Sequence, residues 1–267
     1  MNSKAVELGC KNTHFVNPNG IHNEEHYSSA YDLALIAKYA MRNETFREIV
    51  SYSSYKLPPT ELYPEDNRIF ANTNDMLVPY SNYYYKYATG IKTGYTSAAG
   101  YCLVASAEKN NLNLISIIFG SENNEKKYTE TKSLFEYGFN NYSIKQISKK
   151  GEAAQTIKIK NATRNTKNLN AILENNISAI VKNGSTEAIS PEIEIKDKLK
   201  APIKKGDVIG TITYNIEGIS YTSNLIANND VKPSYLFVYI LLFVIVCWLI
   251  IKLLEKIKNN KKNYRKN

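Results

Sequence analysis

The residues of clearest chemical interest are Lys92, Thr93 and Gly94, which place an ammonium group, a hydroxyl group and a bare backbone side by side. A Lys-Thr-Gly triplet alone occurs by chance in many proteins, so its setting decides its value. Small and apolar residues alternate after it as they do in strands, and glycines allow the backbone to pass close to other groups. The sequence predicts two strands, near residues 90–93 and 101–107, with the triplet on the first.

The histidines and cysteines predict neither a metal site nor a cofactor. His22 and His26 have the i, i+4 spacing of a zinc pair, but they adjoin a Pro-Asn-Gly turn without a helix or a third ligand, so we interpret them as loop residues. The three cysteines form no disulfide framework and no Cys-x-x-Cys pair. We expect Cys10 and Cys102 to be small core residues, and Cys247 lies in a long apolar segment.

Residues 1–142 have the pattern of an α+β domain in which helices cover a sheet. Ser28 or Ser29 should cap one helix, because Asp32 follows in its first turn. The apolar face of that helix is Leu33, Ile36, Ala37, Ala40 and Met41. Several prolines make residues 51–87 irregular. The other predicted elements are helices at residues 1–9, 44–50 and 125–137, the last with Tyr128, Thr131, Leu134 and Phe135 on its inner side, and a strand at residues 112–120.

Residues 143–230 predict a small β-sandwich domain. Residues 155–160, 177–182 and 192–196 alternate apolar with polar residues, as half-exposed strands do. Another strand follows the turn at Gly206, and a hairpin is expected at residues 217–218. Nothing in this domain has catalytic spacing, so we interpret it as a spacer or a docking module.

Residues 233–253 predict a single transmembrane helix. The first nineteen of them contain no charged residue, and at 1.5 Å per residue they extend about 28 Å, the thickness of one hydrocarbon core. Aromatic rings at Tyr235, Tyr239 and Trp248 lie toward its ends, where the membrane interface favours them. A lipid bilayer is therefore a predicted partner.

The net charge of +9 is concentrated at the C-terminus. From Lys252 onward seven basic residues stand against Glu255, a local net charge of +6. A basic segment next to a span predicts that residues 254–267 form a cytoplasmic tail and that residues 1–232 lie outside the cell membrane. No basic face with interleaved aromatic residues is visible elsewhere, which argues against nucleic-acid binding.

An external domain needs an export signal, and residues 1–8 have instead the character of a helix already under way. The expectation from sequence is that this chain begins inside a longer protein.

Residues 1–142 resemble the C-terminal half of the penicillin-binding domain of low-molecular-mass D-alanyl-D-alanine carboxypeptidases, the serine peptidase S11 family. The residues after 142 resemble that family's C-terminal β domain and membrane anchor. The resemblance implies a β-lactamase/transpeptidase-like fold. It is carried by residues 1–5, Leu8-Gly9, Asn12-Thr13-His14-Phe15, Asn17-Pro18-Asn19-Gly20, residues 26–34 and residues 90–107.

The resemblance also implies roles for four residues, because in that family the Lys-Thr-Gly strand edges the substrate cleft. Lys92 would supply positive charge near the substrate carboxylate and help to orient the serine of a Ser-x-Asn motif. Thr93 would hydrogen-bond that carboxylate, and Gly94 would let the substrate lie against the strand. The backbone N–H of Tyr95 would be one oxyanion donor.

The nucleophile and base of such an enzyme belong to Ser-x-x-Lys and Ser-x-Asn motifs, which we expect upstream of Met1. Ser53-x-x-Lys56 matches the first by letters only, because it runs into two prolines and predicts an extended segment. Ser121-Glu122-Asn123 matches the second, but it follows the Lys-Thr-Gly sheet, whereas the family places that motif before it.

We therefore expect a serine-type carboxypeptidase that removes terminal D-alanine from peptidoglycan stem peptides through an acyl-enzyme, with this chain inactive by itself. The implied partners are a stem peptide ending in D-Ala-D-Ala and β-lactam antibiotics. One alternative is a catalytically inactive, membrane-anchored cell-wall-binding protein of the same descent. Another is a β-lactamase-like hydrolase, against which the β domain and the anchor argue.

Overall fold

The computed structural model describes residues 1–65, 68–186 and 189–264, without the side chains of residues 236 and 256–264. It divides into two compact units. Unit 1 comprises Met1–Ile144 with Ile180–Thr186, and unit 2 comprises Lys145–Ala179 with Glu187–Asn267.

Unit 1 is built on an antiparallel sheet with the strand order β3-β4-β5. Its elements are α1 (Asn2–Glu7), α2 (Ala30–Ala40), α3 (Glu44–Ser51), β1 (Ser54–Lys56), β2 (Ile69–Ala71), a 3-10 helix (Asp75–Leu77), β3 (Ala88–Thr96), β4 (Gly100–Lys109), β5 (Leu112–Ser121) and α4 (Asn124–Asn141). The α+β prediction is confirmed, and so is the cap of α2, where the side chain of Ser29 accepts from the backbone N–H of Asp32.

The core of unit 1 lies between β4 and α4. Leu103, Ala105 and Ala107 alternate along β4 and are buried on one face, since side chains of a strand repeat with a period of two. Tyr128 and Phe135, two turns apart on α4, cover them. Burying aromatic side chains of this size stabilises the unit by about 1.5–3 kcal/mol each.

Two expectations for unit 1 are wrong in detail. Residues 51–87 are not irregular throughout, because β1 and β2 pair as a short antiparallel hairpin. A strand of three residues is too short to show a recognisable period in the sequence. Leu134, expected on the inner side of α4, is 48% exposed. Tyr128, Thr131 and Phe135 are buried as predicted, and Lys127 and Gly138 are buried beside them.

Unit 2 contains a five-stranded antiparallel sheet with the strand order β10-β11-β12-β8-β7. The strands after residue 141 are β6 (Tyr142–Ser148), β7 (Ala153–Lys158), β8 (Asn168–Leu173), β9 (Ile177–Lys182), β10 (Glu192–Ile195), β11 (Val208–Ile216) and β12 (Ile219–Ala227). β6 pairs with β9, and the residues of these two strands are divided between the units. The hairpin prediction is confirmed: Glu217 and Gly218 connect β11 to β12 with φ angles of 50° and 75°. Strands β6 and β8 were not predicted.

The helix α5 (Leu236–Tyr264) follows unit 2's last strand. It begins three residues after the predicted boundary at residue 233 and continues through the basic residues that were assigned to a tail. Its segment Phe237–Glu255 is long and apolar enough to cross a membrane, and none of it is buried within the described part of the chain.

Candidate active site

The four predicted site residues lie on β3, which pairs only with β4 in the described part of the chain. Lys92 is opposite Val104, and Tyr95 is opposite Tyr101. Because β3 is an edge strand, alternate backbone N–H and C=O groups are available to a ligand. The structure therefore places Lys92, Thr93, Gly94 and Tyr95 together along one exposed strand edge, as the sequence predicts.

Lys92 and Thr93 form a polar cluster with Thr73, a residue that sequence reasoning missed. The Oγ1 atoms of Thr73 and Thr93 lie 2.6 Å apart, at hydrogen-bonding distance. The Nζ of Lys92 donates to the carbonyl oxygen of Thr93 at 2.8 Å and to Oγ1 of Thr73 at 3.5 Å. Two hydroxyl groups and an ammonium group thus converge, an arrangement that can receive a carboxylate by charge-assisted hydrogen bonds.

Thr73 is held in place by its neighbours on both sides. Asn74 is fully buried, and its side-chain amide donates to the carbonyl oxygen of Gly90 at 3.1 Å. The hydroxyl of Tyr128 donates to the carbonyl oxygen of Thr73 at 3.1 Å and accepts from the backbone N–H of Asp75 at 3.2 Å. Burial of that phenol raises its pKa to about 12. The segment is therefore fixed against β3 and α4.

Lys127 supplies a second cation to this cleft, and it is only 4% exposed. Its Nζ lies 4.7 Å from the ring centroid of Tyr128 and 5.7 Å from that of Tyr101. Burial lowers the pKa of Lys127, with Lys92 acting in the same direction and Asp75 and Cys102 in the opposite one. Within the residues described, this ammonium group has no ion-pair partner within 4 Å.

The position of Lys127 could have been found from the sequence. It precedes Thr131 by four residues and Phe135 by eight, so it shares the inner face of α4 with them. The predicted inner face of α4 contains Tyr128, Thr131, Leu134 and Phe135 but not Lys127. A charged residue at a helix position that faces the core is a signal of function, because such burial is costly unless an anion compensates it.

These groups line one open cleft of about 1000 Å³. Residues 92–96 form one side, Lys127 and Tyr128 another, and residues 17–20 with His26 contribute further polar groups. Cys102 also lines the cleft and is half-buried, as is Cys10, so the prediction that both are core residues is wrong. The arrangement can bind an anionic group against an extended backbone.

The two serine-containing matches do not line this cleft. Ser53 precedes β1, and Lys56 is the last residue of that strand, so the two side chains are not one helical turn apart. Ser121 is buried at the end of β5, and Asn123 caps α4 by accepting from the backbone N–H of Lys126. Both matches therefore have structural explanations.

Two family models match the chain. The family model described as D-alanyl-D-alanine carboxypeptidase matches residues 1–123. The model described as Penicillin-binding protein 5, C-terminal domain, matches residues 142–233. The chain belongs to the D-alanyl-D-alanine carboxypeptidase family.

Relatives in this family match most of the chain. The carboxypeptidase DacF of Bacillus subtilis is 33% identical over 238 residues, which is 88% of this chain and 58% of that protein. The carboxypeptidase DacA of Haemophilus influenzae is 32% identical over 89% of this chain and 58% of that protein. The chain thus spans less than two thirds of the length of either family member.

Solved structures give the same picture. Penicillin-binding protein 5 from Haemophilus influenzae is 28% identical, with a TM-score of 0.61 over 86% of this chain and 64% of that one. A peptidoglycan synthesis regulatory factor (PBP3) from Streptococcus pneumoniae shares the fold, with a TM-score of 0.67 at 21% identity over 86% of this chain and 68% of that one. The penicillin-binding fold with its C-terminal β domain is thereby confirmed.

Proposed function

We propose that this chain forms the carboxylate-binding side of a serine-type D-Ala-D-Ala carboxypeptidase site. The observation that carries the proposal is the convergence of Lys92, Thr93 and Thr73 on a cleft that also contains the buried Lys127. A peptide ending in D-Ala-D-Ala presents a free carboxylate, and hydroxyl and ammonium donors recognise that group. β-Lactam antibiotics present a carboxylate too, so they are proposed ligands of the same cleft.

Each of the four site residues then has a part in acyl transfer. Lys92 and Thr93 hold the terminal carboxylate, and Gly94 lets the peptide lie along β3. A serine hydroxyl attacks the carbonyl carbon of the penultimate D-alanine, and the backbone N–H of Tyr95 donates to the oxyanion that forms. Terminal D-alanine leaves with its amine reprotonated, and water then hydrolyses the acyl-enzyme. The proposed chemistry needs no metal or cofactor.

The serine and its base are proposed to come from Ser-x-x-Lys and Ser-x-Asn motifs outside residues 1–267. Two observations support this. Ser53 lies next to a short strand instead of at a helix start, and the hydroxyl of Ser121 is buried with no hydrogen-bond partner among the described residues. The chain alone is then proposed to be inactive, because removing a nucleophile removes most of the rate enhancement of such a site.

The proposed organisation follows the same family. Residues 1–142 form the partial carboxypeptidase domain, residues 143–230 the β domain, residues 233–253 the membrane span and residues 254–267 a cytoplasmic tail. The apolar segment Phe237–Glu255 and the basic residues after it support a single-pass anchor that leaves residues 1–232 on the external face.

The test compares the chain alone with a complete version, in which a family N-terminal half carrying Ser-x-x-Lys and Ser-x-Asn precedes Met1. The complete version should release D-alanine from a D-Ala-D-Ala peptide and form a covalent adduct with labelled penicillin, and the chain alone should do neither. An adduct mapped to Ser53 of the chain alone would contradict the proposal. A folded complete version that binds peptide without cleaving it would favour the inactive cell-wall-binding alternative.

A further inference from the structure

Three segments of unit 2 lie together where the chain leaves the β domain for α5. We name residues 159–167, 198–205 and 231–235 the basal segments. Ala162 and Pro233 form an antiparallel bridge, as do Ile203 and Val231, so the third segment runs between the other two.

Hydrogen bonds fasten the first and third basal segments to each other. The backbone N–H of Thr163 donates to the carbonyl oxygen of Lys232 at 2.9 Å, and that of Ser234 donates to the carbonyl oxygen of Asn161 at 2.8 Å. The backbones of Lys160 and Lys200, in the first and second segments, form a parallel β-bridge. The three basal segments are therefore held together by backbone pairing.

Charge is divided unequally between the basal segments and the other residues of unit 2 that precede α5. The basal segments contain eight basic residues and no acidic one. The remaining residues of unit 2 before α5 (145–158, 168–179, 187–197 and 206–230) contain five basic and nine acidic residues. A net charge of about +8 on three contacting segments gives this part of unit 2 a positive local potential.

The basic side chains of the basal segments are free to meet an anion. Lys160, Arg164 and Lys232 are exposed, and within the described residues none of the three has an ion-pair partner. Three acidic residues flank the basal segments along the chain: Asp197, Asp207 and Asp230. Two of them are engaged with the backbone. Asp207 accepts from the N–H of Lys204 and Asp230 from that of Lys205, each at 2.8 Å.

The basal segments are also tethered to the apolar helix. Lys232 lies four residues before Leu236, where α5 begins, so an extended chain keeps it within about 15 Å of the helix start. If α5 spans a bilayer, lipid headgroups are the anions that this tether holds next to the basal segments. A surface potential acts within a Debye length, about 8–10 Å in physiological salt.

We propose that the basal segments bind anionic phospholipid headgroups, such as phosphatidylglycerol, on the side of the bilayer that faces the β domain. The inference rests on the proposed membrane span but not on the proposed catalysis. Each basic residue near an anionic surface strengthens the association about fivefold. The contact would complement the anchor by holding the β domain against the surface.

The experiment reconstitutes the full chain into phosphatidylcholine vesicles with the β domain outward. Spin-labelled phosphatidylglycerol or phosphatidylcholine is added to the outer leaflet only, so the basic tail inside does not contribute. The fraction of motionally restricted label gives the preference for the anionic lipid. The test variant carries Lys160→Gln, Arg164→Gln and Lys232→Gln. The matched control carries Lys145→Gln, Lys149→Gln and Lys150→Gln, which remove the same charge from exposed positions elsewhere in the β domain.

We expect the unmodified chain and the control to prefer phosphatidylglycerol at least about threefold, and the test variant to lose most of that preference. Raising the salt to about 0.5 M should weaken the preference in the unmodified chain, as screening requires. Equal association of both lipids with the unmodified chain, or an equal loss in the control, would overturn the proposal. The proposal would also be overturned if the chain bound a soluble polyglycerol phosphate but showed no lipid preference, because the partner would then be a wall polymer. Release of the chain by carbonate would refute the span itself, whereas failure to release D-alanine would refute only the catalytic proposal.

Discussion

Replacing Lys127 by methionine should stabilise unit 1 while it weakens the site. Lys127 is 4% exposed, and burial lowers its pKa, so the folded state carries a charged group at a cost. Methionine is of similar length and has no charge. Relieving a buried polar group without an ion-pair partner is worth about 1–3 kcal/mol, and loss of the contacts with the Tyr128 and Tyr101 rings offsets part of it. We therefore expect Lys127→Met to raise the free energy of unfolding by about 1 kcal/mol near neutral pH.

The pH dependence follows from the direction of the pKa shift. The folded-state pKa of Lys127 lies below its ordinary value of 10.5, so the cost of burying the charge is fully present below the folded-state pKa. It disappears as the pH rises from that value toward 10.5, because the folded chain then releases the proton more readily than the unfolded chain does. The advantage of Lys127→Met should therefore shrink over that range.

The assay unfolds the full chain in detergent with urea. Unfolding is measured by hydrogen exchange of the β4 amides, which reports on unit 1. Lys126→Met is the matched control. Lys126 is the adjacent residue of α4, its side chain is 42% exposed, and it forms a surface ion pair with Glu122 at 2.9 Å. Its removal should change stability by less than about 1 kcal/mol. A loss of more than 1 kcal/mol in Lys127→Met would refute the interpretation of Lys127 as an uncompensated cation.

Three other predictions concern the site and the anchor. In the complete enzyme, Lys92→Ala should lower penicillin acylation and peptide turnover at least about tenfold, because a charge-assisted contact contributes roughly 1.5–3 kcal/mol, and Lys92→Arg should restore only part. Near-normal acylation by Lys92→Ala would mean that Lys92 is merely a solvated strand residue. Asn74→Ala should lower the free energy of unfolding by about 1–3 kcal/mol in the same urea assay, because it leaves the carbonyl oxygen of Gly90 without its hydrogen-bond donor. An unchanged urea midpoint would contradict the role of Asn74 in holding its segment against β3. With an export signal supplied, a reporter after Asn267 should be cytoplasmic and one before Lys232 external, and release of the protein by carbonate would contradict the span.

Much of this molecule was predictable because its strands and helices carry strong periodic patterns. The alternation through β4 and β5 and the uninterrupted apolar run in α5 correspond to real elements. Strands β1 and β2 were missed because three residues show no period. β8 was missed because Asn168 and Asn170, which occupy exposed positions of its alternating pattern, have low strand propensity.

The candidate site was only half predictable. Residues 92–95 are contiguous in sequence, so one motif identifies them. Thr73 and Lys127 reach the same cleft from 19 residues before Lys92 and 35 residues after it, through the 3-10 helix segment and α4. Such convergence depends on the packing of Tyr128 against that segment, which no local pattern encodes.

The most direct test of the central claim asks whether the cleft recognises a terminal carboxylate. The complete enzyme is given two peptides that differ only at the C-terminus, one ending in D-Ala-D-Ala with a free carboxylate and one with a carboxamide. Loss of a charge-assisted contact of about 1.5–3 kcal/mol predicts that kcat/KM for the carboxamide is at least about tenfold lower. Equal kcat/KM for both peptides would contradict the claim that Lys92, Thr93 and their neighbours bind that carboxylate.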